Sequence, residues 1–323
     1  MGANMEESRI WIEKFRPRSF GDIKGQEAII SRIKAFVKKR NIPHLLLAGP
    51  AGVGKTTTAL VIAHELYGNS WKENFLELNA SDDRGIDVVR TKIKDFARTI
   101  AIGDVGFKII YLDECDSLTS EAQQALRRTM ETYSENCRFC LSCNYSSKII
   151  DPIQSRCTIF RFKPLDKDSV KAIVEKISES EGLKIKSGVI DALHEISNGD
   201  ARRIENILQS CASIDKSIST ELIYEISSAA RPKEVIEILK EAVDGRFIKA
   251  RNLLLEVMLK HGLSGLDIVK QIQKEIHNLN ADEEKKLKMI EKCGECEFRM
   301  VEGSDEYIQL EALIAGFYIK NKE

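Results

Sequence analysis

The sequence predicts an α/β domain with a mostly parallel sheet, followed by a small helical domain and then an all-helical one. Three observations carry this expectation. Up to about residue 163, short and almost wholly apolar runs alternate with segments of helical periodicity. One of those runs leads directly into a glycine-rich turn and then a helical pattern. After Pro164 the strand-like runs stop and helical periodicity takes over. The expected domains are 1–163, 164–230 and 231–323.

Each element has its own signal. His44–Ala48 is the first strand, preceded by Asn41-Ile42-Pro43 and followed by the glycine-rich turn and a helix over Thr56–Tyr67. The further strands are expected at Phe75–Leu78, Phe107–Leu112, Arg138–Cys143 and Thr158–Phe162. They are apolar toward both faces, as strands covered by helices on both sides must be. The second domain is expected to hold helices over Val170–Glu181, Val189–Ile196, Ala201–Cys211 and Thr220–Ser227. A residue before proline is pushed out of the helical region, so Arg231-Pro232 is the natural second boundary. Beyond it, helices are expected over Lys233–Ala242, Phe247–Lys260, Leu266–Asn278, Ala281–Ile290 and Gln309–Ile319.

Composition excludes several classes. With 323 residues, 43% hydrophobic, 31% charged and only 6 prolines, the chain has ample core material and is neither disordered nor collagen-like. Lys+Arg 49 against Asp+Glu 50 leaves a formal net charge of −1, so any nucleic-acid surface must be a local patch. No apolar run approaches the ~20 residues needed to span a bilayer. Glu6 and Glu7 near the start, with no apolar run, argue against a secretory signal. The 8 cysteines then read as reduced thiols, and the expected location is cytoplasmic.

The chemistry centres on Gly49-Pro50-Ala51-Gly52-Val53-Gly54-Lys55-Thr56, followed by Thr57. This matches the phosphate-binding loop and sits between a strand and a helix, as the mechanism requires. Its glycines let backbone N–H groups converge on phosphates, and the helix N-terminus adds its dipole. Lys55 is expected on the β- and γ-phosphates and Thr56 on Mg²⁺. Asp113 and Glu114 end an apolar strand; in a parallel sheet that end lies beside the phosphate loop. Asp113 would hold Mg²⁺ and Glu114 would polarise the attacking water, although a carboxylate pair can also cap a helix. Asp116 could cap the helix opening at Ser120 or a neighbouring loop. Asn144, after the next strand, could meet the lytic water or the γ-phosphate, or simply be a turn residue.

These residues resemble the replication factor C small-subunit family, the archaeal and eukaryotic sliding-clamp loaders within the AAA+ ATPases. The resemblance rests on an ordered set. It comprises Trp11-Ile12-Glu13-Lys14-Phe15-Arg16-Pro17, Leu78 to Ile86, Leu112 to Thr119, Gln123 to Glu131, Ser155-Arg156-Cys157 and Gly199-Asp200-Ala201-Arg202-Arg203. It implies an AAA+ domain, a helical lid and a helical collar for oligomerisation, with ATP (or ADP) and Mg²⁺ as ligands. By that resemblance Arg156 is an arginine finger acting in trans, Arg202 the second sensor and Asn144 the first. Read alone, Arg156 could be a surface salt bridge, and Arg202 a partner for Glu205 or Glu195. Arg16 and Pro17 would pack near the adenine. The implied partners are the large subunit, other copies of the small subunit, the sliding clamp and primer–template DNA, with no membrane. By the same resemblance the location is the interior of an archaeal cell, or nuclear in a eukaryote. The chain lacks the zinc-module insertion of bacterial loaders. Another AAA+ motor of the branch-migration type, or a non-catalytic ATP-binding assembly subunit, are the alternatives.

Arg90, Lys94 and Arg98 share one face of a helix whose other side carries Val89, Ile93, Phe96 and Ile100. Such a stripe can be a solvated face. The resemblance assigns Arg84 and Arg90 to DNA phosphates, a salt-dependent and sequence-indifferent contact. Cys137, Cys140 and Cys143 alternate along a strand and cannot converge on a metal. Cys293-Gly294-Glu295-Cys296 has the spacing of half a zinc site without a second half.

Overall fold

The computed structural model describes residues 10–81, 86–227 and 230–318, with 86–90 described by backbone alone. The chain divides into two compact units, Met1–Ser217 and Ile218–Glu323. Arg231-Pro232 coincides with the start of a helix, with Pro232 in its first turn.

The first unit is built on five strands: β1 (His44–Ala48), β2 (Phe75–Asn79), β3 (Lys108–Asp113), β4 (Cys137–Cys143) and β5 (Cys157–Arg161). All neighbouring pairs are parallel, in the order β2-β3-β4-β1-β5. The period of 2 decides what each strand residue touches. Leu45, Leu47, Ile109, Tyr111 and Cys140 join one core. Leu46, Ala48, Ile110, Leu112, Phe139 and Leu141 join the other. Cys140 therefore faces away from Cys137 and Cys143, which lie in the second core. No cluster of metal-ligating side chains occurs among the described residues.

Helices cover both faces. They are α1 (Trp11–Lys14), α2 (Glu27–Lys38), α3 (Lys55–Tyr67), α4 (Trp71–Asn74), α5 (Ile86–Arg98), α6 (Ser120–Thr132) and α7 (Asp151–Gln154). α2 and α3 supply the first core through Ile33, Val37, Val61 and Ile62. α5 and α6 supply the second through Ile93, Ala97, Leu126 and Met130. Ile100 does not belong to that buried face. α5 ends at Arg98, and Ile100 is 90% exposed.

Three further helices belong to the first unit, α8 (Lys167–Glu181), α9 (Val189–Ser197) and α10 (Ala201–Ile214). Asp166 and Asp200 cap α8 and α10 by accepting from the N–H groups of Ser169 and Arg203. α1 is stitched to α8 and α10. The Trp11 N–H donates to Gln209 Oε1 at 3.0 Å, and Lys14 pairs with Glu181 at 2.7 Å.

The second unit contains α11 (Thr220–Ile226), α12 (Pro232–Val243), α13 (Phe247–His261), α14 (Gly265–Ile276), α15 (Glu283–Val301) and α16 (Glu306–Gly316). Its core draws on α12 to α16. α15 runs well past the Ile290 end expected from the sequence, because the apolar stripe continues through Cys293, Cys296 and Met300. Those two thiols are core residues, not half of a zinc site. Burial pushes Cys293 up to about 12 and Cys296 up to about 11, far from the thiolate a metal needs. Gly294 has open space around it, so its lack of a side chain serves no contact.

Candidate functional site

The strand order puts the ends of β1, β3 and β4 side by side, and the functional side chains gather there. Gly49 to Gly54 form the turn between β1 and α3. Two of its glycines are required by close approach. A Cβ on Gly49 would come within 2.6 Å of the Phe162 carbonyl, and one on Gly52 within 1.6 Å of Asp200. The Gly52 carbonyl also accepts from the Ala201 N–H at 3.0 Å, so α10 begins on the phosphate loop.

Lys55, the first residue of α3, folds its ammonium back over the loop. It donates to the carbonyls of Gly49 (2.6 Å) and Pro50 (2.7 Å) and to Asn144 Oδ1 (3.1 Å). Burial holds its pKa below the ordinary lysine value. Asn144 is itself fixed: Asp116 Oδ2 accepts from the N–H groups of Asn144 (3.2 Å) and Tyr145 (3.0 Å). Asp116 thus caps the loop after β4, while Thr119 caps α6.

Thr56 Oγ1 donates to Asp113 Oδ2 at 3.1 Å and accepts from the Tyr111 hydroxyl at 3.0 Å. Tyr111 was not foreseen, although its sequence position held the signal. It lies two residues before Asp113 on the same strand, hence on the same face. Burial raises its pKa, so it stays a neutral donor.

Asp113 and Glu114 are adjacent, and in an extended strand they would point to opposite faces. Glu114 instead has a left-handed backbone (φ 54°), a conformation that costs a non-glycine residue roughly 1–2 kcal/mol. Both carboxylates consequently line one cleft. The reversal is held by the Glu114 N–H donating to Asp113 Oδ1 (2.9 Å) and by Ser117 Oγ donating to the Glu114 carbonyl (2.7 Å).

That cleft is also walled by Ala51, Gly52, Val53, Gly54, Lys55, Thr56, Thr57, Asn144 and Arg202. Arg16 and Pro17 line it too, together with Phe15, Ile23, Ile173 and Ile177. Gly49 and Pro50 contribute through their carbonyls to Lys55. Among the residues expected at the site, Arg156 is not on this wall. It stands before β5, ion-paired with Glu131 at 2.5 Å and donating to the Pro152 carbonyl at 2.7 Å. Arg84 lies outside the described residues. Arg90 falls in α5, and its side chain is outside them too.

The donor set suits a hard divalent cation. A threonine hydroxyl and one carboxylate, with the remaining positions left to phosphate oxygens and water, is how Mg²⁺ is commonly held. No helix among the described residues is long and apolar enough to cross a membrane.

Comparison with known proteins agrees with this geometry. Residues 45–165 match the ATPase family associated with various cellular activities (AAA), and residues 230–316 match the replication factor C C-terminal domain. The chain is 53% identical over 305 residues to the replication factor C small subunit of Methanococcus vannielii, covering 94% of this chain and 97% of that protein. It is 51% identical over 311 residues to that of Archaeoglobus fulgidus (96% and 98% covered). Against that of Sulfurisphaera tokodaii it is 48% identical over 314 residues (97% and 96% covered). Among solved structures, the Thermotoga maritima RuvB Holliday junction branch migration motor superposes with a TM-score of 0.55 at 19% identity, covering 71% of this chain and 79% of that one. That likeness speaks for the fold alone.

Proposed function

The chain belongs to the replication factor C small subunits, and from that premise we propose how its residues divide the work of an ATPase subunit in an archaeal clamp-loader complex. It is an ATP-hydrolysing AAA+ enzyme that uses ATP and Mg²⁺, and it works in an oligomeric assembly that contacts DNA.

One observation supports the division most strongly: Lys55, Thr56, Asp113, Glu114, Asn144 and Arg202 all line a single cleft at the ends of parallel strands. Lys55 has three N–H donors to exchange from the loop carbonyls and Asn144 to β- and γ-phosphate oxygens. Thr56 and Asp113 would hold the Mg²⁺, which when bound neutralises phosphate charge. Glu114 would orient the attacking water and take its proton as the new bond to the γ-phosphorus forms and the bond to ADP breaks. Asn144 and Arg202 would read the γ-phosphate from the sheet and from the lid. Arg16 and Pro17 would border the base.

Arg156 is assigned to a neighbouring subunit's ATP. Its place off the cleft wall of its own chain, half-exposed before β5, supports that assignment. The specific partners follow the same reading: the large subunit, further copies of this chain, the sliding clamp and primer–template DNA, with Arg84 and Arg90 toward phosphates. The setting is the interior of the cell.

The test is ATP turnover by the chain with its large-subunit partner, titrated with sliding clamp and primed DNA. The parent complex should be stimulated by both. Lys55→Ala should lose ATP binding, whereas Glu114→Gln should keep it while turnover falls about 10²-fold or more. Equal turnover by Glu114→Gln and parent would remove Glu114 from its role.

A further inference from the structure

Glu205 is the one strongly buried carboxyl on the wall of the cleft, and nothing in the division of labour above uses it. It lies on α10, three residues beyond Arg202, so it shares the face that looks into the cleft. The residue is 7% exposed. No hydrogen bond or ion pair reaches its carboxyl from the described residues. Its carboxyl oxygens are not wholly sealed off, and the opening they have is the cleft that the residue lines. A chain keeps such a group most readily where something else will meet it.

The position narrows what that is. The phosphate end of the cleft is already supplied by Lys55, Thr56, Asp113, Asn144 and Arg202. From Arg202 the helix advances away from the loop toward α1, whose Trp11 is tied to Gln209 one turn further along. The cleft is also lined by the apolar side chains of Phe15, Ile23, Ile173 and Ile177, with the charged Arg16, Lys24, Lys176 and Asp22 beside them. Arg16 pairs with Glu13 and Lys176 with Asp22, which leaves Glu205 as a polar group without a partner among apolar walls, and such a group can orient a flat ligand. We propose that Glu205 is a specificity-determining residue of the ATP site, its carboxyl making the directed hydrogen bond to the nucleoside half of the nucleotide. This rests on the cleft being the ATP site.

The carboxyl is set up to act in its neutral form, offering one donor and one acceptor. Burial is the dominant influence and carries its pKa up to about 8. Arg16 from α1 and Arg202 on its own helix pull the other way, while Asp200 and Glu13 reinforce burial. Across the cleft, Lys176 and Asp22 face each other at 3.6 Å and largely cancel. Covering Glu205 with a nucleoside removes more water and favours the neutral form further. The sign follows: affinity is full while Glu205 is protonated and is lost as pH rises through about 8.

The experiment measures Mg·ATP binding to the full chain by calorimetry from about pH 7 to about pH 9.5, for parent, Glu205→Gln, Glu205→Leu and Lys55→Ala. Parent affinity should fall above about pH 8, steepening toward tenfold per unit, and Glu205→Gln should lack that component. Titration of Lys55 is common to both proteins and cancels in their ratio. Glu205→Leu should bind ATP about tenfold more weakly than parent at pH 7. Identical pH profiles for parent and Glu205→Gln would overturn the proposal, as would unchanged binding by Glu205→Leu. If parent and Lys55→Ala bind ATP alike, the reading of the cleft fails instead. If only the Glu205 variants are indistinguishable from parent, the cleft reading stands and this inference alone falls.

Discussion

The cleft and the corner that carries Arg156 are organised in opposite ways. In the cleft the polar side chains restrain one another: Lys55 meets Asn144, Thr56 meets Asp113, Tyr111 meets Thr56, and Asp116 fixes the backbone of Asn144. At the corner, Arg156 meets Glu131 and the Pro152 carbonyl among the described residues, and its side chain is 37% exposed. The contrast teaches what a single chain can specify. Register within one parallel sheet can preorganise the binding half of an ATPase. On the reading proposed for Arg156, a charge destined for another protomer is held meanwhile in a weak and replaceable pairing.

If this contrast is right, the largest effect belongs to the corner. Arg156→Ala in mixed assemblies should lower hydrolysis about 10³-fold at the neighbour's site, with ATP binding by the mutant chain's own cleft preserved. Single-turnover assays on assemblies carrying one marked mutant subunit would read it. A loss confined to the mutant's own site would dissolve the distinction drawn between the two regions.

A smaller effect is expected inside the cleft. Tyr111→Phe removes the hydroxyl that accompanies Thr56, leaving one fewer restraint on that oxygen at a cost of about 1 kcal/mol. Mg²⁺-dependent ATP affinity should weaken several-fold, while affinity measured in excess chelator should not change. Equal weakening with and without the metal would mean that Tyr111 supports the strand and not Thr56. The smallest effect comes from releasing the parked arginine. Glu131→Gln removes an ion pair worth less than about 1 kcal/mol at such exposure, so turnover of the assembled complex should change by no more than a few-fold. Thermal stability of the isolated chain should hardly move.

How much of this was legible in the sequence depended on how local the cause was. The phosphate loop and the Asp113-Glu114 pair are short motifs whose residues act through backbone turns, so their types and spacing carry the information. Asn144 needed the sheet order as well, since only the adjacency of β1 and β4 brings it to Lys55, 89 residues away in sequence. Tyr111 was readable from strand alternation but looked like one more apolar residue in an aliphatic run. The N-terminal stitch between Trp11 and Gln209 spans 198 positions and has no local signature. α15 was cut short for a different reason: a glycine between two cysteines imitates a metal loop, and only packing against the rest of the second unit shows that the helix continues. Glu205 was noticed as a companion of Arg202, but its burial belongs to the assembled cleft.

The contact between the Ala201 amide and the Gly52 carbonyl ties the turn after β1 to the start of α10. It makes residue 52 a shared tenant of two structures that are far apart in the chain. A side chain at residue 52 would run into Asp200, the cap of α10, so a substitution there would strain the start of that helix as well as the turn.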